Sequence, residues 1–338
     1  MNFRSDNTAP AAPEIITALT SVNESTAPAY GEDQWSKRLN ERFSALFERD
    51  VQVFTVASGT AANAISVASL APPWGAVLCH REAHIECDEC GAAEFYSSGA
   101  KLVLIDGEAA KLTPPALEEG IARNARGIHS VKPAAVSVSQ TTERGAVYKP
   151  AELVALGEIA KRADLGLHMD GARFGNAVAA LGCSPADITW RAGVDLLSFG
   201  ATKNGAIAAE AIVCFDAARA EEIARRRKRS GNLFSKGRFV AAQLLAYLEN
   251  DLWLKLARQS NALAARLGEA AAPYLSHPVE SNQLFIKPGP DALAKLRAAG
   301  AEFYDWGDGK SGEARLVVSW NQSEADISAM AKVLATLR

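Results

Sequence analysis

Beginning at Trp35, stretches whose apolar residues recur at helical spacing alternate with short, predominantly apolar runs, and few folds accommodate that rhythm. The first helical stretch carries Trp35, Leu39, Phe43, Leu46 and Phe47. The apolar runs are Val51–Val56, Ala76–Cys79, Ala100–Ile105, Ala134–Val138, Gly166–Met169, Leu196–Phe199 and Ala211–Phe215. Short apolar strands separated by helical stretches predict an α/β fold with a largely parallel sheet and helices on both sides. At 338 residues the chain exceeds a usual single domain. Past about residue 240 the rhythm changes to a long helical segment, Ala241–Ala272, then short strands at Gln283–Ile286 and Ala314–Ser319 and a closing helix from Ser323. The expected division is an N-terminal arm (1–35) with a short helix near Glu14–Leu19, a large domain (36–240) and a small α+β domain (241–338).

A net charge of −3 argues against nucleic-acid binding, and no apolar run approaches the roughly 18 residues that a membrane helix requires. The opening Met1–Asp6 carries no basic patch followed by an apolar core, so a cytoplasmic protein is expected. The basic run Arg225–Arg229 follows Glu221 and Glu222 and reads as a solvated helix face. Five cysteines at scattered positions imply free thiols. His80, His84, Cys87 and Cys90 could ligate zinc, but all four lie within eleven residues rather than on two separate knuckles, so no metal is expected.

Two segments carry chemistry. His168-Met169-Asp170-Gly171-Ala172-Arg173 ends one apolar run, and Lys203 follows Arg173 by thirty residues after another. Such run ends are where open α/β sheets present ligand-binding groups. A lysine amine that can hold an aldehyde, beside a carboxylate that can keep a ring nitrogen protonated, reads as a site for pyridoxal 5'-phosphate. Upstream, Ser58-Gly59-Thr60-Ala61-Ala62-Asn63 joins a strand to a helix and offers free amides and a hydroxyl to a phosphate; a plain serine cap would use the same residues. Arg173 could simply pair with Asp170 across one turn, or reach a substrate carboxylate.

These residues resemble the low-specificity L-threonine aldolases among the fold-type I pyridoxal phosphate enzymes. The similarity runs nearly end to end through Ser5-Asp6-Asn7-Thr8, Tyr30-Gly31-Glu32-Asp33, Ser58–Asn63, His84 with Asp88–Ala92, the His168–Arg173 segment, Thr202–Gly205 and Arg315. The resemblance implies that Lys203 holds the cofactor aldehyde, Asp170 its ring nitrogen, and Ser58, Gly59 and Thr60 its phosphate, with Arg173 reaching the ring hydroxyl and His84 stacked on the ring as a catalytic group. Ser5, Tyr30, Arg173 and Arg315 would bind the substrate, while Cys87 and Cys90 would be packing residues. It also implies a homotetramer and cleavage of β-hydroxy-α-amino acids to glycine and an aldehyde. A phenylserine-type aldolase, a β-eliminating lyase and a non-catalytic cofactor carrier are the alternatives. Thr142 stands where many relatives carry a second histidine, and it cannot serve as a base at neutral pH.

Overall fold

A computed structural model describes residues 1–337. The larger sheet contains β1 (Gln52–Val56), β2 (Gly75–His80), β3 (Lys101–Ile105), β4 (Lys132–Ser139), β5 (Gly166–Gly171), β6 (Leu196–Gly200) and β7 (Glu210–Cys214) in the order β1-β7-β6-β5-β4-β2-β3. Strand β7 runs against both its neighbours, and the remaining pairs are parallel. The reversal has a simple cause: residues 201–209 are too few to hold a crossover, so the chain after β6 must return antiparallel. Every strand except β7 therefore ends at one edge of the sheet, and β7 begins there. Strands β2, β6 and β7 are buried along their length, including the polar His80, Ser198 and Glu210 that they carry.

Alternation along the strands separates two cores. One face packs Phe43, Phe47, Phe174, Phe199, Tyr247 and Trp253; the other packs the small residues of helix Gly59–Leu70 against Val77, Leu196 and Ile212. Leu167 and Met169 belong to the aromatic side, which leaves His168 and Asp170 facing helix Gly59–Leu70. A second, three-stranded sheet orders β8 (Gln283–Ile286), β10 (Ala314–Val317) and β9 (Tyr304–Asp305), all antiparallel. Its core holds Leu267, Leu284, Leu316 and Met330.

Several expectations need correction. The segment Ala241–Ala272 is two helices, Arg238–Leu248 and Leu252–Ala271, divided where Asn250 and Asp251 take φ of 48° and 54°; these residue types tolerate the left-handed region. The N-terminal helix is Pro13–Val22, opened by proline in its first turn. At the start of the N-terminal arm, residues 1–9 lie along the small sheet. Phe3 is fully buried in the small core, its amide donates to the Glu302 carbonyl at 2.7 Å, and Val317 N donates to the Phe3 carbonyl at 2.9 Å. Cys87 and Cys90 are exposed rather than packed, and all five cysteines are unpaired. The basic run lies on helix Ala220–Arg229 with Arg225 and Arg226 paired to Glu221 and Glu222, but Arg227 turns inward and donates to Thr55 Oγ1 at 2.7 Å. No described helix is long and apolar enough to cross a membrane.

Phe3→Ala should destabilise the small unit by about 3–5 kcal/mol, the usual cost of emptying an aromatic site. Native-state hydrogen exchange checks this at the Val317 amide, whose protection should fall along with that of residues 1–9.

Candidate active site

The common edge of the large sheet collects the chemistry. Asp170 lies near the end of β5 beside Ser139 of β4 and Ser198 of β6. Lys203 follows β6, the Ser58 turn follows β1, and Glu210 begins β7 opposite both Val56 and Gly200. Gly200 is required by close approach, since a Cβ there would sit 2.6 Å from the Ala172 carbonyl oxygen.

Asp170 is buried, with one bond at each oxygen and acceptor capacity to spare: Oδ1 accepts from Ala172 N at 2.9 Å and Oδ2 from Asn63 Nδ2 at 2.8 Å. Burial works against its charge, but the neighbouring His84 and Lys203 outweigh it and hold the carboxyl below its ordinary range. Beneath it His168 bridges Ser137 Oγ at 2.9 Å and Ser198 Oγ at 3.0 Å, and burial lowers that imidazole to about 4, so it stays neutral. Burial, then the neighbouring Arg173, lowers the Lys203 amine from its usual value.

Arg173 does not pair with Asp170. It grips Asp6 instead, with Nε 2.7 Å and Nη2 3.0 Å from the two carboxylate oxygens, and Asn282 Nδ2 adds a third donor at 3.2 Å. Burial opposes the Asp6 charge, yet Arg173 and Lys203 keep it below the usual carboxylate range. Arg315 is close enough to Arg173 to feel its charge. Burial, then that repulsion, drops Arg315 to about 10, and its buried Nε has no partner among the described residues. A buried guanidinium with a free donor is a ready anchor for a carboxylate.

His84 opens the short helix His84–Cys87, with Nδ1 2.8 Å from Glu89 Oε1. That bond raises its basicity, against burial. Its backbone amide donates to Glu143 Oε1 at 2.9 Å, and Ser139 Oγ donates to the same oxygen at 2.6 Å. Burial pushes the Glu143 carboxyl up to about 7. Thr142 has its hydroxyl wholly occupied, donating to Ala109 O at 2.8 Å and accepting from Ala146 N at 3.1 Å.

Helix Gly59–Leu70 begins at the site, capped by Ser58 Oγ, which accepts from Ala61 N at 3.2 Å. Ahead of it the cradle is open, for a Cβ on Gly59 would meet nothing within 4 Å. Open amides at a helix start, a desolvated amine and a buried anionic carboxylate together fit a phosphorylated pyridine aldehyde.

Ser5 caps the turn Asp6–Thr8, which packs on Thr202–Asn204. Tyr30 stands apart. It is 51% exposed, its amide donates to Ser235 O, and its ring lies under the Lys228 amine. The His80–Cys90 quartet does not converge: His80 Nε2 meets Gly107 O and its Nδ1 accepts from Glu82 N, His84 is taken by Glu89, and Cys87 donates to Arg81 O. Asp6, Asn63, Glu89, Glu143 and Glu210 were given no role on sequence grounds, because an acid or amide declares itself only through its partner.

A family model described as beta-eliminating lyase matches residues 2–287. The chain is 45% identical over 323 residues to a low specificity L-threonine aldolase of Pseudomonas aeruginosa, covering 94% of this chain and 92% of that protein. It is 43% identical to one of a Pseudomonas sp., covering 97% and 95%. Among solved structures it is similar to a threonine aldolase of Leishmania major, with a TM-score of 0.93, 29% identity and 99% of each chain covered.

Glu210 supplies a pH signature for this site. Burial raises its carboxyl from 4.5 to about 7, so between those values the folded chain holds a proton that the unfolded chain releases. Stability should therefore fall as pH rises across that window, by a few kcal/mol at most. Glu143, raised over the same window, contributes a like decline, so Glu210→Gln should roughly halve the slope of melting temperature against pH.

Proposed function

Because the chain belongs to the threonine aldolases of the beta-eliminating lyase family, we propose a specific division of labour for a site that cleaves L-threonine with pyridoxal 5'-phosphate. When bound, that cofactor supplies an electron sink for the pair released from the substrate's Cα–Cβ bond. Lys203 would hold its aldehyde, Asp170 its ring nitrogen, Arg173 its ring hydroxyl, and Ser58, Gly59 and Thr60 its phosphate, with His84 over the ring.

The chain's own groups do the rest. Burial, then the neighbouring Arg173, makes the Lys203 amine easier to deprotonate than a solvated ammonium, which favours its attack on an aldehyde. Arg315, with Arg173 and Ser5, clamps the substrate carboxylate, and this fixes which face of the amino acid meets His84. His84 accepts the β-hydroxyl proton, a role that Thr142 cannot fill because a hydroxyl is no base at neutral pH and this one is held between Ala109 and Ala146. The products are glycine and an aldehyde, acetaldehyde from threonine. The observation carrying this reading is the partnerless guanidinium of Arg315 beside the Asp6–Arg173 pair. Such a clamp serves an amino-acid substrate and would be idle in a cofactor carrier.

The reading extends to L-allo-threonine and related β-hydroxy-α-amino acids, to a cytoplasmic enzyme, and to a homotetramer built as a dimer of dimers. Tyr30 supports the assembly: a bulky residue held at φ 58° and half exposed stores strain that a partner's site would justify. The division into arm (1–35), large unit (36–240) and small unit (241–338) belongs to the same reading, with helix Leu252–Ala271 shared between the two cores.

The test incubates cofactor-loaded enzyme with L-threonine, L-allo-threonine and L-phenylserine. Glycine and aldehyde should form in equal amounts and vanish in Lys203→Ala, while Arg315→Ala should raise KM by roughly 10- to 100-fold, the worth of a charged hydrogen bond. Pyruvate and ammonia instead would assign β-elimination.

A further inference from the structure

The imidazole of His84 is held from one side only. Its Nδ1 lies 2.8 Å from Glu89 Oε1, and the Glu89 side chain is fully buried while that of His84 is 37% exposed. The same Glu89 oxygen receives Asn63 Nδ2 at 2.8 Å, and the other hydrogen of that amide goes to Asp170 Oδ2 at 2.8 Å. Glu89 thus reaches the carboxylate at the end of β5 through one shared amide. A carboxylate oxygen accepts, so Nδ1 carries the hydrogen and Nε2 keeps its lone pair. Among the described residues Nε2 has no hydrogen-bond partner. The backbone of His84 is fixed separately by Glu143.

Resting on the aldolase reading above, we propose that Glu89 is a positioning residue for the cleavage step: it takes the Nδ1 hydrogen of His84 so that Nε2 is presented to the substrate's β-hydroxyl, and Asn63 keeps the pair in register with Asp170. In that step the β-hydroxyl O–H bond breaks and its proton goes to Nε2. The O–H pair becomes the second bond of the aldehyde carbonyl, and the Cα–Cβ pair stays with the glycine fragment, whose Cα later takes a proton. The imidazolium so formed faces the Glu89 carboxylate at hydrogen-bond distance, which favours the proton on the ring as the bond breaks. The charged groups facing His84 are Glu89, Asp170, Lys203 and, at its backbone, Glu143; Glu89 contributes most to raising its basicity, Asp170 adds to it and Lys203 opposes.

Two variants of the cofactor-loaded enzyme test the assignment. Glu89→Gln keeps an acceptor for the Nδ1 hydrogen and removes the charge; Glu89→Ala removes both. The readouts are the NMR titration of the His84 ring carbon, identified by its loss in His84→Gln, the acid limb of kcat against pH, and KM for threonine. In Glu89→Gln the His84 midpoint and the acid limb should both move to lower pH, with KM held within about twofold because the carboxylate clamp is untouched. In Glu89→Ala, kcat should fall by about 10- to 100-fold, part of the worth of a general base. An unshifted His84 midpoint in Glu89→Gln, or an acid limb that stays in place, overturns the proposal even if Glu89→Ala fails to fold. Failure of the wild type to yield glycine and aldehyde would instead count against the aldolase reading, while the titration still decides whether Glu89 controls the imidazole.

Discussion

Shared direction among the strands is the constraint from which the site follows. Because β1 to β6 all end at one edge, groups distant in sequence arrive together: the Ser58 turn after β1, His84 after β2, Glu143 after β4, Asp170 in β5 and Lys203 after β6. Backbone amides and side chains at that edge face a crevice rather than a neighbouring strand, so each following loop is free to carry a functional group. The single reversed strand adds Glu210 at the same edge by its amino end.

Concentrating charge there would be costly unless it were paired. The arrangement meets this with interlocking pairs: Asp6 with Arg173, Glu89 with His84, and Asp170 held by an amide and a backbone N–H within the field of Lys203. Arg315 stands outside this compensation, stacked over Tyr304 and Trp306 with a buried donor unused. A buried cationic donor left open beside closed ion pairs marks where a ligand's charge belongs.

Most of the framework was legible in the sequence because the signals are local. Apolar runs announce buried strands, and small residues after them announce turns. Asp170 and Lys203 could be read because each ends such a run. The reversal of β7 was hidden in a loop length rather than in a residue type. The Asp6–Arg173 pair was unreadable, since nothing near either residue names its partner 167 positions away. Glu89 was illegible for another reason: a buried acid one position from an exposed one, Asp88, differs from it only by the turn that aims it inward. Cys87 and Cys90 misled because thiols are usually buried, whereas Cys87, at the end of the short helix, and Cys90, in the turn after it, are both exposed.

The docking of Phe3 has a consequence in time. The first residues are stitched to Glu302 and Val317, and the terminal amine of Met1 donates to the Gly300 carbonyl at 3.1 Å. Chains leave the ribosome at roughly 5–20 residues per second, so the beginning of this one waits on the order of 15–60 s for its partners to be made. Asp6 waits with it. The large sheet is free to form before residues 302–317 are made, whereas the segment that carries Asp6 to Arg173 is anchored only once they are present.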